Sequence, residues 1–189
     1  MFAPLGGAGE IGMNLALYGL GNERQRQWIA VDLRGCVCGR RPSGRRSHPA
    51  GCRFLIEERR NILGIVLTHA HEDHFGALID LSPRLRLPIY ATPFTAALLE
   101  AKRLSEPGAP DVPVNVVAAQ QPLSPRARST SSMCRWLTRS RNRTALIIRT
   151  PLGAVLHTGD WKIDPTPVNR SADRRSRALA RLATTAVSR

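Results

Sequence analysis

The sequence has no apolar run long enough to cross a membrane as a helix, which takes about 18 residues. Its first residues, MFAPLGGAGEIG, lack the basic and apolar regions of a signal peptide. Both absences predict a cytoplasmic chain with no membrane partner. The 4 cysteines lack the paired CxxC spacing of a zinc knuckle, so we expect unpaired thiols in a reducing compartment.

Acidic residues are scarce in three parts of the chain. The formal net charge of +14 is of a size typical of nucleic-acid binding, but the distribution of the charge along the chain argues against that interpretation. Eighteen of the 28 basic residues, but only one of the 14 acidic residues, fall in the blocks 34–53, 125–144 and 169–189. These blocks lack apolar periodicity, so we expect them to form loops and a disordered tail. The composition describes a mildly acidic domain interrupted by Arg-rich blocks.

Outside these blocks, apolar runs alternate with helical patterns. LALYGL with WIAVDL, and ALIIRT with AVLHTGD, predict two β-hairpins. Thr92 followed by Pro93 is typical of a helix start, with Thr92 as the N-cap. Alternating strands and helices predict an α/β fold, whose sites lie at strand ends. The further predicted elements are a buried strand at 62–67, a helix at 75–81, and strands at 87–92 and 112–118.

The stretch LTHAHEDHFGAL directly follows the predicted buried strand. His69, His71 and Asp73 alternate in it, and His74 adjoins Asp73. A loop that turns into a helix can therefore aim one pair of side chains at one metal and the other pair at a second. Imidazole and carboxylate suit zinc, or manganese where carboxylates dominate. The alternative is a polar surface loop whose histidines have no function. A single histidine would favour that alternative, but four potential ligands within six residues favour a metal site.

The spacing HxHxDH resembles the metal motif of metallo-β-lactamase-fold hydrolases. LGGAGEIGMN, VLTHAHEDHFGAL, LPIYAT and HTGDWKIDPTPV together resemble ribonuclease J, the bacterial RNA-processing branch of the β-CASP nucleases. The similarity covers roughly 3–33, 54–124 and 145–168. It implies an αββα metallo-β-lactamase sandwich of which the N-terminal half is present. Residues 1–168 would then form a partial metallo-β-lactamase domain, followed by the Arg-rich tail.

The resemblance also implies the ligands. His69 and His71 would bind the first zinc, Asp73 and His74 would bind the second, and Asp160 would bridge the two. Asp32 would correspond to the strand-end aspartate that supports the ligand loop without binding metal. His157 is interpreted as a structural residue next to the site.

By the same resemblance, the expected cofactor is a pair of zinc ions, with manganese or magnesium as alternatives. The expected reaction is hydrolysis of RNA phosphodiester bonds by a zinc-bound hydroxide, which two adjacent metals can generate while they clamp a phosphoryl group. RNA is the expected substrate, and an intact family member could be a homo-oligomer.

The sequence departs from the family pattern at one ligand. A further histidine is expected shortly before ALIIRT, yet no histidine lies between His74 and His157. Back-translation of the first two Arg-rich blocks allows shifted reading frames that restore a family-like loop and an Ala-His-Ser-Ile-Pro-Glu segment. We therefore interpret these blocks as out-of-frame segments of an N-terminal fragment.

Three other functions are compatible with parts of the sequence. The chain could be an inactive truncated remnant of a ribonuclease J-like enzyme. It could be a basic RNA-binding module, although Trp136 is the one aromatic residue in the Arg-rich blocks. It could also be a small metallo-β-lactamase-fold hydrolase of another substrate, which HxHxDH alone would allow and the flanking segments oppose.

Overall fold

A computed structural model describes residues 1–10, 12–34, 39–40, 46–47, 50–118, 122–123, 133–138 and 144–160. The strands β1 to β12 are Phe2–Gly6, Leu15–Leu20, Gln27–Val31, Gly39–Arg40, Arg46–Ser47, Ile62–Val66, Ile89–Ala91, Val114–Val116, Pro122–Leu123, Met133–Thr138, Thr144–Thr150 and Gly153–His157. The helices α1 to α4 are Ala50–Glu57, Glu72–Phe75, Leu78–Leu85 and Pro93–Ser105.

The larger sheet has six strands in the order β1-β2-β3-β6-β7-β8. β1, β2 and β3 are antiparallel neighbours, and β6, β7 and β8 continue from β3 in parallel. Val31 pairs with Val66, so the carboxyl ends of β3 and β6 lie side by side. These pairings confirm the predicted β2–β3 hairpin and the three other predicted strands of this sheet.

The smaller sheet is antiparallel, with the order β12-β11-β10-β9. The predicted hairpin of ALIIRT and AVLHTGD is confirmed by the pairing of β11 with β12, in which Leu146 lies opposite His157. The two-residue strands β4 and β5 form a separate antiparallel pair.

The larger sheet has a packed layer on each face. Side chains of β2 alternate between these faces, as the period of two in a strand requires. Leu15 and Leu17 join a buried cluster with Leu81 of α3, whereas Ala16 joins a second cluster with Leu146 of β11. Helices therefore cover one face and the smaller sheet covers the other, which confirms the predicted α/β class.

The helices differ in how well the sequence predicts them. α4 begins at Pro93 as expected, because the side chain of Thr92 accepts a hydrogen bond from the backbone N–H of Thr95. The predicted helix at 75–81 is instead divided into α2 and α3. α3 continues through Pro83, which cannot donate to the carbonyl of Ile79, and the hydroxyl of Ser82 lies 3.5 Å from that carbonyl. Burial of the apolar side of α3 holds the helix together despite the proline.

The Arg-rich blocks are only partly described. Within 125–144, Met133–Thr138 forms β10, so the prediction of an irregular loop is wrong there. β10 pairs along its whole length with β11, and it contains one arginine, Arg135, among residues that are common in strands. α1 likewise begins at Ala50, inside the block 34–53. The predicted tail at 169–189 lies outside the described residues.

The structure bears on two further expectations, which concern membrane-spanning helices and the cysteines. None of the described helices is long and apolar enough to span a bilayer. The expectation of unpaired thiols is wrong for Cys52, which is buried in α1 and disulfide-bonded. Disulfide formation depends on how closely the fold brings two thiols together, and the spacing of cysteines along the chain does not report that distance.

Candidate metal centre

Asp32 and Thr68 follow the adjacent parallel strands β3 and β6. Asp32 is 2% exposed and has a left-handed backbone conformation with φ of 61°. Its carboxylate accepts hydrogen bonds from the backbone N–H of Thr68 at 2.7 Å and from the Thr68 hydroxyl at 2.8 Å. Left-handed backbone costs energy for most residues but is tolerated by aspartate. The two strand ends are thus tied together through one buried carboxylate.

Thr68 also connects the larger sheet to the smaller one. Its carbonyl accepts the backbone N–H of Thr144 at 3.1 Å and the Thr144 hydroxyl at 2.5 Å. Thr144 is buried and begins β11. This contact fixes the position of β11, whose hairpin partner β12 leads to Asp160.

One group of ligating atoms comprises His69, His71 and Asp160. His69 is 1% exposed, and its Nε2 lies 3.1 Å from Nδ1 of His71 and 3.5 Å from Oδ2 of Asp160. A second group comprises Asp73, His74 and the same Asp160. Nε2 of His74 lies 3.2 Å from Oδ1 of Asp160 and 3.5 Å from Oδ2 of Asp73. Asp160 therefore faces both groups, one with each carboxylate oxygen.

Hydrogen bonds define which ring nitrogen of His74 carries a proton. Nδ1 of His74 lies 2.7 Å from Oδ2 of Asp32, which can only accept, so Nδ1 carries the proton. In the neutral ring Nε2 then carries the lone pair, and this nitrogen lies beside the carboxylates of Asp73 and Asp160. Burial lowers the pKa of His74, but the hydrogen bond and negative charge of Asp32 outweigh burial and raise that pKa above its usual value.

The pKa of His69 shifts in the opposite direction from the pKa of His74. Burial, together with the positive charge that His74 can carry, lowers the pKa of His69 to about 4. His69 is therefore neutral near pH 7, as a metal-binding imidazole must be. Its Nε2 faces Nδ1 of His71, and two ring nitrogens this close are stabilised by a proton or a cation between them.

The spacing of these atoms fits a metal ion. A tetrahedral metal with bonds of about 2.0–2.1 Å has ligand atoms about 3.3–3.4 Å apart. The distances within the two groups are 3.1, 3.5, 3.2 and 3.5 Å, and all candidate ligand atoms of each group lie within 4.8 Å of one another. The donor set of imidazole and carboxylate suits zinc and other divalent transition metals.

The other acidic residue of the motif, Glu72, belongs to neither group. Glu72 accepts hydrogen bonds from Nη1 of Arg34 at 2.5 Å and from Nζ of Lys102 at 2.6 Å. Lys102 belongs to α4, so Glu72 ties the helix that carries Asp73 and His74 to a neighbouring helix. His48 lies outside the described residues.

The remaining histidine, His157, contacts the opposite sheet. Its Nδ1 forms a hydrogen bond of 2.9 Å with the hydroxyl of Tyr18, and burial lowers the pKa of His157. A cleft of about 350 Å³ lies beside the site and is lined by His157, Asp160 and the glycine-rich segment at Gly6, Gly7 and Ala8. His157 belongs to neither of the ligand groups found among the described residues, and its interpretation as a structural residue stays a prediction.

Sequence reasoning missed two residues that contact the candidate ligands. Asn14 donates from Nδ2 to the backbone oxygen of Asp73 at 3.1 Å and to its Oδ2 at 3.2 Å, and the same Nδ2 lies 3.0 Å from Nε2 of His74. Thr68 contacts Asp32 and both buried ligand histidines. The only sequence signal for either residue is position, since Asn14 ends the glycine-rich stretch and Thr68 precedes the histidine cluster.

The fold and this site define a class of protein. Residues 28–181 match the family model described as a beta-lactamase superfamily domain. This match covers most of the chain, which therefore belongs to the beta-lactamase superfamily. The fold is found in solved structures as well. The metallo-beta-lactamase fold protein YhfI from Bacillus subtilis has a TM-score of 0.52 and 18% identity, over 87% of this chain and 63% of that one.

Within this superfamily the chain is homologous to ribonuclease J. Ribonuclease J of Sinorhizobium meliloti is 46% identical over 172 residues, which cover 88% of this chain and 29% of the relative. The chain thus spans less than a third of that relative's length, and the resemblance found in the motifs is confirmed. TTHA1623, solved in a di-iron-bound form, has a TM-score of 0.51 and 22% identity, over 97% of this chain and 86% of that one.

Proposed function

We propose that this chain carries the metal-binding part of a ribonuclease J-like hydrolase that cleaves RNA phosphodiester bonds. The observation that carries the proposal is the arrangement of two ligand groups around the shared carboxylate of Asp160. A homologue at 46% identity named ribonuclease J supports RNA as the substrate.

Zinc is the proposed metal. His69, His71 and Asp160 would hold one ion, and Asp73, His74 and Asp160 would hold the other. Manganese and magnesium are alternatives. Iron is another, since a solved neighbour was obtained in a di-iron-bound form. When bound, such a pair of ions supplies a water molecule of lowered pKa and offsets negative charge on phosphoryl oxygens.

The residues of the chain would prepare the site for this chemistry. Asp32 keeps His74 oriented with its Nε2 towards the site, and the backbone contact between Thr68 and Thr144 holds the two sheets in register around it. Burial of His69 excludes water from one side and keeps its imidazole neutral. Asp160, whose side chain is 39% exposed, is reachable from the cleft.

The test is cleavage of a fluorescently labelled single-stranded RNA by the purified chain with added zinc or manganese. We expect cleavage products that disappear with a chelator and return when the metal is restored. Asp160→Asn should abolish cleavage because it weakens both ligand groups. Asp111→Asn is the matched control, since Asp111 is exposed and lies outside both groups.

A second candidate function is metal binding without turnover, as in a non-catalytic remnant. The observation that favours it is the absence of any histidine between His74 and His157, which leaves the first group with two imidazoles. Loss of one ligand weakens metal affinity and activity. Stoichiometric metal binding with no RNA cleavage under any of the metals would favour this function over the enzyme.

A further inference from the structure

We infer that Thr68 is a positioning residue through which Asp32 orients His69, so that one buried carboxylate orients a ligand histidine in each of the two metal groups. The inference rests on the proposed metal site and deepens it. Asp32 contacts His74 directly, but it has no direct hydrogen bond to His69 among those of the described residues.

The direction of the hydrogen bonds follows from elementary donor counting. The Thr68 hydroxyl has one proton, and its Oγ1 lies 2.8 Å and 3.0 Å from the two carboxylate oxygens of Asp32. An ionised carboxylate can only accept, so the hydroxyl proton goes to Asp32. Oγ1 therefore has only lone pairs left for its contact with Nδ1 of His69 at 3.0 Å. Nδ1 of His69 must be the donor, and its proton is fixed there.

This chain of contacts determines the ligand atom. A neutral imidazole with its proton on Nδ1 has its lone pair on Nε2. In His69 that nitrogen points to Nδ1 of His71 and to Oδ2 of Asp160, the other members of the first group. Without the hydroxyl, either tautomer of His69 is allowed, and one of them directs an N–H at the metal position.

The hydrogen bonds between Asp32 and Thr68 and between Thr68 and His69 are both buried. Asp32 is 2% exposed, and Thr68 and His69 are 0% and 1% exposed. A hydrogen bond between buried polar groups is not exchanged with water, so it can select a single tautomer. The Thr68 hydroxyl also lies 3.4 Å from Nδ1 of His74, a contact longer than the direct 2.7 Å bond from that nitrogen to Asp32. Loss of the hydroxyl should therefore affect the His69 group more than the His74 group.

The first measurement uses the metal-free, unmodified chain. Nitrogen-15 NMR of the histidine side chains reports the tautomer, and the His69 signals are assigned by their loss in His69→Gln. We expect a neutral His69 with its proton on Nδ1. A proton on Nε2, or a mixture of tautomers, would overturn the inference, and this readout does not depend on metal binding or catalysis.

The second measurement compares Thr68→Val, which keeps the shape without the hydroxyl, with Thr68→Ser, which keeps the hydroxyl. Zinc affinities are measured by competition with a chromophoric chelator. We expect Thr68→Val to weaken one of the two zinc sites by about 10–100-fold, as loss of such supporting contacts does elsewhere, and Thr68→Ser to stay within a few fold of the original chain. Thr95→Val is the matched control, because Thr95 is also fully buried and hydroxyl-bonded but lies in α4.

The outcomes separate this inference from the proposed function. Equal loss in Thr68→Ser and Thr68→Val, or unchanged zinc binding in Thr68→Val, would overturn the role of the hydroxyl. If the unmodified chain binds no metal, the proposed function fails, while the tautomer of His69 still decides whether the contact through Thr68 exists. The NMR measurement also keeps the inference testable if Thr68→Val does not fold.

Discussion

The hydroxyl of Tyr18 lies 2.9 Å from Nδ1 of His157, although 139 residues separate them in the chain. Tyr18 belongs to β2 of the larger sheet, and His157 ends β12 of the smaller sheet. The bond joins the two sheets three residues before Asp160. Because Asp160 faces both ligand groups, the position of β12 matters to the whole site.

Tyr18→Phe is expected to destabilise the fold by about 1 kcal/mol, since it removes one hydrogen bond and leaves a half-buried imidazole nitrogen unpaired. Urea unfolding of Tyr18→Phe, His157→Ala and the double variant measures the coupling between the two residues. Additive effects in the double variant would contradict an energetic link between the sheets at this position.

The stability of the fold should fall at alkaline pH because of the same tyrosine. Burial raises the pKa of Tyr18 from 10.0 to about 12, so the folded chain keeps a phenol proton that the unfolded chain has already lost. Stability from this group is complete below pH 10 and declines as the pH rises to about 12. Chemical unfolding across this range should show the decline, and Tyr18→Phe should show less of it.

Metal content should depend more on Asp160 than on any ligand that belongs to one group. Asp160→Asn is expected to reduce the affinity of both zinc ions, whereas His71→Gln should reduce the affinity of one. Zinc per chain, measured after dialysis against limiting metal, distinguishes the two cases. Asp80→Asn serves as the control, because Asp80 is exposed at the start of α3. Equal zinc loss in Asp160→Asn and His71→Gln would argue against a shared carboxylate.

Glu72 lies within the motif but should not be a ligand. Glu72→Gln is expected to cost about 0.5–1 kcal/mol of stability, since its side chain is 54% exposed and pairs with Arg34 and Lys102. The cost should shrink at high salt, and zinc binding should be unchanged. Glu106→Gln is the control, because Glu106 also pairs with Lys102 but at the longer distance of 3.7 Å. Loss of a zinc ion in Glu72→Gln would show that its carboxylate reaches the metal.

Two glycines near the N-terminus provide a matched pair. Gly7 and Gly9 both have positive φ, 79° and 81°, so an alanine is strained at either position. A Cβ on Gly7 would also collide with Oδ1 of Asn14, whereas no atom of the described residues beyond its chain neighbours lies within 4 Å of a Cβ on Gly9. Gly7→Ala should therefore cost more stability and more zinc affinity than Gly9→Ala, because Asn14 holds Asp73 and His74. Similar results for the two variants, by thermal unfolding and zinc titration, would remove Asn14 from the ligand support.

The elements with strong local signals were predictable. The two hairpins, the buried strand at 62–67 and the helix start at Thr92 and Pro93 depend on alternation, apolar runs and capping, which neighbouring residues specify. The division between α2 and α3 and the strand at Met133–Thr138 were not predictable, because tertiary contacts outweigh a proline and an unfavourable composition. The disulfide of Cys52 likewise depends on a distance that only the fold sets.

By itself, the sequence determined the kind of candidate metal ligands and their spacing. His69, His71, Asp73 and His74 follow one strand at intervals that backbone geometry can direct into two groups. The tertiary structure decided how these ligands are completed and oriented. It brings Asp160 between them from another sheet, and it aligns Asp32, Thr68 and the histidines through buried hydrogen bonds. Such contacts join residues that are distant in the chain, and their direction depends on burial and donor geometry, which no local pattern of residues contains.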